Sequence, residues 1–328
     1  MCTAISLGNG GHYFGRTLDL EYSLHESVTF TPRKYPLSFR SGKTAAEHYA
    51  ILGIAAGEEH YPLYYDGINE RGLCMAALHF PDNAHYLPSI PGKDSIASFE
   101  VIPWILSQCA SVRQARDLLS RMTVTDLAYS ERLQPTPLHW ILADGLECVV
   151  LEPEANGIAV YENPTGVLTN NPPFSFQLDR LQDYRSLSPD PVPALFHPGI
   201  QLHPYSRGMS GMGLPGDFSS ASRFVRAAFV RSCSSGGDLP EEKAVDFFRR
   251  MGTVQIPRGV VRTEKGEPVF TVYTSCYTPN GQCLCSTYED PAIRAVSLSD
   301  FDAEGNVLQS VPLSRLWKIH AMSTEGSP

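Results

Sequence analysis

Strand-like sequence stands at both ends of this chain with helix-like sequence between, and that order most restricts the fold it can reach. Near the start, residues 3–7 and 12–18 are short apolar runs joined by Gly8-Asn9-Gly10-Gly11, a glycine- and asparagine-rich break of the kind that marks a hairpin. Further strands are expected at 27–31, at 50–55, and at 73–78 after a turn at Asn69-Glu70-Arg71-Gly72. Another group covers 139–143, 147–152 and 157–161, and a last one covers 269–276, 282–288 and 293–298. Helices are expected at 99–109, capped by Ser98, and after Ser111, where Val112, Ala115, Leu118, Leu119 and Met122 fall on one face. A third follows Pro215-Gly216-Asp217 and runs through Arg223, and a fourth covers 241–251. Strands, then helices, then strands again favour an α+β layered architecture with mainly antiparallel sheets over a doubly wound parallel sheet. Six prolines break residues 186–215, and a long structured loop beside a site is preferred there to a linker between domains.

Cys2 stands behind only an initiator methionine, so removal of Met1 would leave a thiol and a free amine on one residue. An α-amine has a pKa of about 7.7–8.0 and a cysteine thiol about 8.5. Near neutrality the amine can therefore accept the thiol proton without a histidine. The plain alternatives are a frayed terminus and a small buried hydrophobe. The other seven cysteines, at 74, 109, 148, 233, 276, 283 and 285, lack the paired spacings of a zinc site and read as packed thiols in a reducing cytoplasm. With 42% hydrophobic and 19% charged residues the chain reads as a soluble globular protein. Its net charge of −9 argues against nucleic acid or an anionic membrane as partner, so an anionic ligand must be held by local arginines. It shows neither a membrane-length apolar run nor a signal-peptide start, and an intracellular, cytoplasmic, complete chain is expected.

Amide hydrolysis by such a thiol also needs an oriented amine, a favoured thiolate and donors for the oxyanion. Arg16 and Asp19, in Phe14-Gly15-Arg16-Thr17-Leu18-Asp19, lie on the strand that the hairpin brings back beside Cys2. The arginine would favour the thiolate and the aspartate would hold the amine, unless either forms a structural ion pair instead. Thr169-Asn170-Asn171-Pro172-Pro173 offers side-chain amides as oxyanion donors, or is a turn. Arg223 falls in the first turns of a capped helix.

Met1-Cys2-Thr3-Ala4, the 14–19 stretch, Leu168-Thr169-Asn170-Asn171-Pro172, Ser222-Arg223-Phe224 and Tyr273-Thr274-Ser275-Cys276 closely resemble the choloylglycine hydrolases. Asn69-Glu70-Arg71-Gly72-Leu73 and Thr136-Pro137-Leu138-His139-Trp140 extend the resemblance through the middle of the chain. It implies a single domain over 1–328, a four-layer αββα sandwich of N-terminal-nucleophile hydrolase type, commonly a homotetramer, without metal or organic cofactor. The family includes bile salt hydrolases and penicillin V acylases. The resemblance makes Cys2 the nucleophile and proton shuttle, with Arg16 and Asp19 beside it, Asn170 an oxyanion donor and Arg223 a brace. His79 stands where many bile salt hydrolases carry asparagine and penicillin acylases tyrosine, a change that keeps the main-chain N–H and alters the pocket wall. The implied substrate is a conjugated bile salt, with Leu18, Leu20, Tyr22, Leu24 and Phe80 as candidate walls and an arginine near the acidic tail. Ser206-Arg207 resembles the loop variant associated with taurine conjugates. Acylases for penicillin V or acyl-homoserine lactones are the alternative enzymes, and a non-catalytic binder of steroid-like amphiphiles is the alternative outside enzymes.

Overall fold

The computed structural model describes residues 1–8, 11–56, 61–191 and 196–313. Asn9 and Gly10 of the expected hairpin turn and Pro193 of the proline-rich stretch lie outside the described residues. One antiparallel sheet runs in the order Val167–Leu168, Cys2–Leu7, Tyr13–Leu20, Pro268–Tyr277, Gln282–Thr287, Arg294–Ser297, and Val261–Arg262 pairs with Pro268–Tyr277. A second runs Gly157–Glu162, Cys148–Glu154, Leu138–Ala143, Cys74–His79, Leu63–Asn69, Ile51–Ala56, Ser27–Thr31, Gln309–Pro312, also antiparallel. Helices Ser220–Cys233 and Pro240–Gly252 pack on the first sheet, and Val101–Gln108 and Val112–Ser120 on the second. The result is the αββα sandwich.

The second sheet explains why its strands read as unbroken apolar runs. Successive side chains on a strand point to opposite faces. Leu52, Ile54, Cys74, Ala76, Leu78, Ile141 and Val150 enter the core between the sheets, which continues to Phe224 and Phe247 of the helices beyond. Ile51, Ala55, Met75, Ala77, Trp140, Leu142, Val149 and Leu151 enter the core beneath the other helix pair. Both faces are buried, so both alternating positions are mostly apolar, and the buried polar ones, Asp66, Asn69, His139 and Glu152, are hydrogen-bonded.

Two close approaches fix the motifs. A Cβ on Gly15 would stand 2.0 Å from the Ser275 carbonyl oxygen, so only glycine lets strand Tyr13–Leu20 lie against Pro268–Tyr277. At the turn between Leu63–Asn69 and Cys74–His79, Gly72 has φ +86°, which glycine takes without strain. Asn69 completes that turn: its Oδ1 accepts the Arg71 and Leu73 N–H groups, and its Nδ2 donates to the Leu106 and Cys109 carbonyls.

Several sequence expectations need correction. Ser98 does not cap a helix; it begins the 3-10 turn Ser98–Glu100, and the buried Glu100 carboxylate instead accepts the Ala97 and Arg40 N–H groups. Met122 leaves the helix face to open strand Met122–Thr125, which pairs in parallel with Asp94–Ala97. Strand Leu63–Asn69 and helix Phe174–Arg180 were not anticipated. The last expected strand is Arg294–Ser297 followed by the 3-10 turn Leu298–Asp300. Within 186–215 the described residues form a loop holding only the 3-10 turn Met209–Gly211, with Phe196 and Tyr205 more than 80% exposed.

Candidate active site

Cys2 pairs across the hairpin with Leu18, and Ala4 with Arg16. Directly paired residues share a face, so Cys2 and Arg16 both look toward the second sheet. Asp19, three positions past Arg16, takes the opposite, helical face. The Arg-Thr-Leu-Asp spacing thus places a cation on one face of the sheet beside Cys2 and a carboxylate on the other.

Arg16 is fully buried. Its Nη1 donates to the Ala77 carbonyl at 2.5 Å and the Tyr65 carbonyl at 3.4 Å, and its Nε to the Thr17 carbonyl at 3.0 Å. Asp66 Oδ2 lies 3.9 Å from Nε, while Nη2 is buried without a partner among the described residues. Burial works against its charge, but Cys2, Tyr273, Asp66 and Asp19 together outweigh it and hold the guanidinium pKa up. Asp66 reaches it from the second sheet and accepts the Tyr273 hydroxyl at 2.5 Å and also the Tyr277 hydroxyl. Burial pushes the Asp66 carboxyl up, against Arg16 and the hydroxyl donors.

Asp19 is also fully buried, and with Met1 in place its carboxylate is taken up by two hydroxyls. Oδ1 accepts the Thr271 hydroxyl at 2.6 Å and Oδ2 the Thr17 hydroxyl at 3.2 Å. With Met1 in place the free amine sits one residue farther out, where the ammonium donates to the Asp19 main-chain oxygen at 2.5 Å. The Asp19 N–H returns a bond to the Met1 carbonyl at 2.9 Å.

Arg223 and Asn170 close on Cys2 from the helical side. Ser219 caps helix Ser220–Cys233 by accepting the Ser222 N–H, which fixes the first turn that carries Arg223. Arg223 Nη1 donates to the Cys2 carbonyl and the Thr3 hydroxyl, both at 2.5 Å, Nη2 to Asn170 Oδ1 at 2.8 Å, and Nε to the Phe218 carbonyl at 3.1 Å. Burial lowers its pKa, opposed by Asp19 and Cys2. Asn170 Oδ1 also accepts the Cys2 N–H at 2.8 Å, and one of its two amide N–H groups donates to the His79 carbonyl at 2.8 Å. Asn170 therefore offers its oxygen to the Cys2 nitrogen and keeps one N–H for another acceptor.

The candidate walls divide. Leu18 belongs to the core, and Phe80, 1% exposed, stacks on His139 at 4.2 Å between ring centroids, so neither presents an open wall. Leu20 is half-buried, Tyr22 and Leu24 are exposed, and all three lie at or just past the end of Arg16's strand. His79 ends strand Cys74–His79 with an exposed side chain. Atoms crowding its inner side nevertheless lower its pKa, followed by the N-terminal ammonium and His139. Arg207 stands exposed in the proline-rich loop with no ion pair to a described residue. A cavity of about 870 Å³ lined by Arg33, His48, Glu70 and Glu304 contains none of these candidates. Among the described residues no His, Cys, Asp and Glu cluster of three or more has metal-site geometry. Sequence reasoning missed Thr271, Asp66 and the buried His139–Glu152 pair; only His139 lay in a motif it had marked.

A buried cysteine on the leading strand of a four-layer αββα sandwich, held by a buried arginine and an asparagine, is the arrangement of an N-terminal-nucleophile hydrolase fold. The family model for linear amide C–N hydrolases, choloylglycine hydrolase family, matches residues 2–309, and the chain belongs to that family of hydrolases. It is 43% identical over 324 residues to a bile salt hydrolase/transferase of Lactiplantibacillus plantarum, covering 98% of this chain and 100% of that one. It is 33% identical to a bile salt hydrolase/transferase of Clostridium perfringens, covering 98% and 99%. The crystal structure of a variant conjugated bile acid hydrolase from Clostridium perfringens superposes with TM-score 0.89 at 31% identity, covering 98% of this chain and 100% of that one. A penicillin V acylase from Agrobacterium tumefaciens, at 17% identity and TM-score 0.75 over 96% and 92%, shares the fold.

Proposed function

We propose that this protein hydrolyses the amide bond of conjugated bile salts through a thioester on Cys2. Once Met1 is removed, the Cys2 amine takes the thiol proton, the sulfur attacks the amide carbon, and the amine returns the proton to the departing taurine or glycine nitrogen. Water, deprotonated by the same amine, then cleaves the thioester and releases the free bile acid. The second Asn170 N–H and the main-chain N–H at His79 are the proposed oxyanion donors, Arg16 favours the thiolate, and Arg223 holds Cys2 and Asn170 in place. Asp19 keeps the strand end in register, and its main-chain oxygen, freed by loss of Met1, becomes a second acceptor near the new amine.

The observation that carries the reading is the convergence of Asn170 and Arg223 on the two main-chain ends of Cys2. End-to-end relatives named for bile salts supply the substrate class. Leu20, Tyr22 and Leu24 are the proposed apolar contacts for the steroid, and Arg207 the cation for the sulfonate of taurine. Two of those names also include transferase, and an acyl group on Cys2 that meets an amine in place of water would form a new amide. We assign the enzyme to the cytoplasm, where its eight unpaired cysteines remain reduced. No described helix is long and apolar enough to cross a membrane. A homotetramer would cover the exposed Phe196, Ile200, Leu202, Tyr205 and Met212 of the proline-rich loop.

Parallel rates on taurocholate, glycocholate and penicillin V test the substrate, and a clear preference for penicillin V rejects it. Cys2→Ala is expected to abolish turnover while bile salt binding persists. Undiminished turnover in that variant rules out the mechanism. Intact mass identifies whether the active form lacks Met1.

A further inference from the structure

His139 carries no role in the chemistry above, yet it is fully buried and both ring nitrogens are engaged. Nδ1 lies 3.1 Å from Glu152 Oε1 and Nε2 2.8 Å from the Thr169 carbonyl oxygen. A carbonyl only accepts, so Nε2 bears a proton and donates it. Glu152 Oε1 also accepts the Phe174 N–H at 3.0 Å, which fixes the carboxylate from the helix that follows the Asn-Asn-Pro-Pro segment. Thr169 precedes Asn170 and directly follows the edge strand Val167–Leu168 of the first sheet, whereas His139 and Glu152 are on neighbouring strands of the second. The imidazole is therefore a strut between the sheets at the level of the nucleophile.

The same ring fixes a second segment. Phe80 lies flat on it, with 6° between the planes, and the preceding His79 supplies the carbonyl that accepts from Asn170. Both strands of chain that would present oxyanion donors, 79–80 and 169–170, thus meet on one side chain. Displacing either by a few tenths of an ångström degrades a geometry that must hold near 2.7–3.1 Å.

We infer that His139, oriented by Glu152, is a positioning residue that sets the distance between the two halves of the oxyanion cradle and acts on the reaction through Asn170. The inference rests on the proposed role of Asn170 as an oxyanion donor. His139→Asn is too short to reach the Thr169 carbonyl, whereas His139→Gln places an amide N–H near the position of Nε2.

The test compares taurocholate kcat and KM with the rate of Cys2 alkylation by iodoacetamide, a reaction that forms no oxyanion. His139→Asn is expected to lower kcat about 10- to 100-fold, a fraction of the loss for removing a whole donor, with KM little changed. Alkylation should stay within about threefold of the parent, and His139→Gln should recover most of kcat. In an Asn170→Ala background, adding His139→Asn should cause no further loss. A parent-like kcat in His139→Asn, an equal fall in alkylation and hydrolysis, or full additivity with Asn170→Ala overturns the inference. If His139→Asn does not fold, the glutamine variant decides: a tenfold or greater loss of kcat in folded His139→Gln refutes a donor-based strut, and recovery with Asn170 coupling intact supports it. A parent-like kcat in Asn170→Ala alone would instead remove the oxyanion role of Asn170, a separate failure.

Discussion

Arg223→Met tests how the buried cation holds the nucleophile. The methionine approximates the aliphatic stem of arginine but leaves the Cys2 carbonyl, the Thr3 hydroxyl, Asn170 Oδ1 and the Phe218 carbonyl each short of a donor. A buried unsatisfied group costs about 1–3 kcal/mol. Removing a charge that burial already disfavours offsets part of this, leaving a net loss of about 3–5 kcal/mol from the four groups together. At about 2.1 cal/mol/K of unfolding entropy per residue, a chain of 328 residues loses about 1.5 °C of Tm for each kcal/mol. Calorimetry should therefore show a fall of about 4–7 °C. Activity should fall further than stability accounts for, by about 100-fold or more at a temperature where the variant is fully folded, because Asn170 loses its anchor. Arg223→Lys keeps a point charge and one or two of the bonds but not the fork, and belongs between parent and Met. A Met variant within about 2 °C of the parent in Tm and within about threefold in kcat would refute the reasoning.

Native alkylation near neutral pH should label Cys2 far ahead of the packed thiols. Burial pushes Cys109 to about 11 and Cys148 and Cys285 to about 12, and raises Cys74, Cys276 and Cys283 well above the usual thiol range, so peptide mapping that finds these labelled first contradicts the structure. Burial lowers His12 from 6.5 to about 4, so the unfolded chain binds a proton in that window that the folded one refuses. The contribution is intact above pH 6.5 and is lost as pH falls to about 4, by up to about 3 kcal/mol, and His12→Gln should flatten this part of the Tm profile. Arg207→Gly should weaken taurine-conjugate turnover more than glycine-conjugate turnover, and equal effects on parallel rates dispose of the selectivity role. Asp66→Asn removes the charge beside Arg16 while keeping two hydroxyl partners, so it should shift the pH profile of kcat/KM more than it lowers Tm.

The strands most legible in the sequence are those whose two faces are both buried, such as Ile51–Ala56 and Leu138–Ala143, because nearly every position is apolar, with His139 the polar exception. Leu63–Asn69 escaped because Asp66 and Gly67 interrupt its run, and what makes Asp66 tolerable is a pair of tyrosines about two hundred residues away. Helix Phe174–Arg180 was hidden behind Asn-Asn-Pro-Pro, which reads as a turn although its prolines only delay the helix. In the site, Cys2, Arg16 and Arg223 were visible as residue types in a recognisable order. The opposite facing of Arg16 and Asp19 was also present in their three-residue spacing. The contact of the terminal ammonium with the Asp19 main-chain oxygen was not, because it is set by Met1 standing ahead of strand Cys2–Leu7. Thr271 and Glu152 stayed hidden because their importance is set by cross-strand register, which no local pattern records.

Strand Cys2–Leu7 is flanked on both sides, by Val167–Leu168 and by Tyr13–Leu20. Most polypeptides begin with a loose end that engineers decorate freely. Here the strand that carries Cys2 is clamped in the middle of the molecule, so a purification tag left ahead of Cys2 would act as a plug.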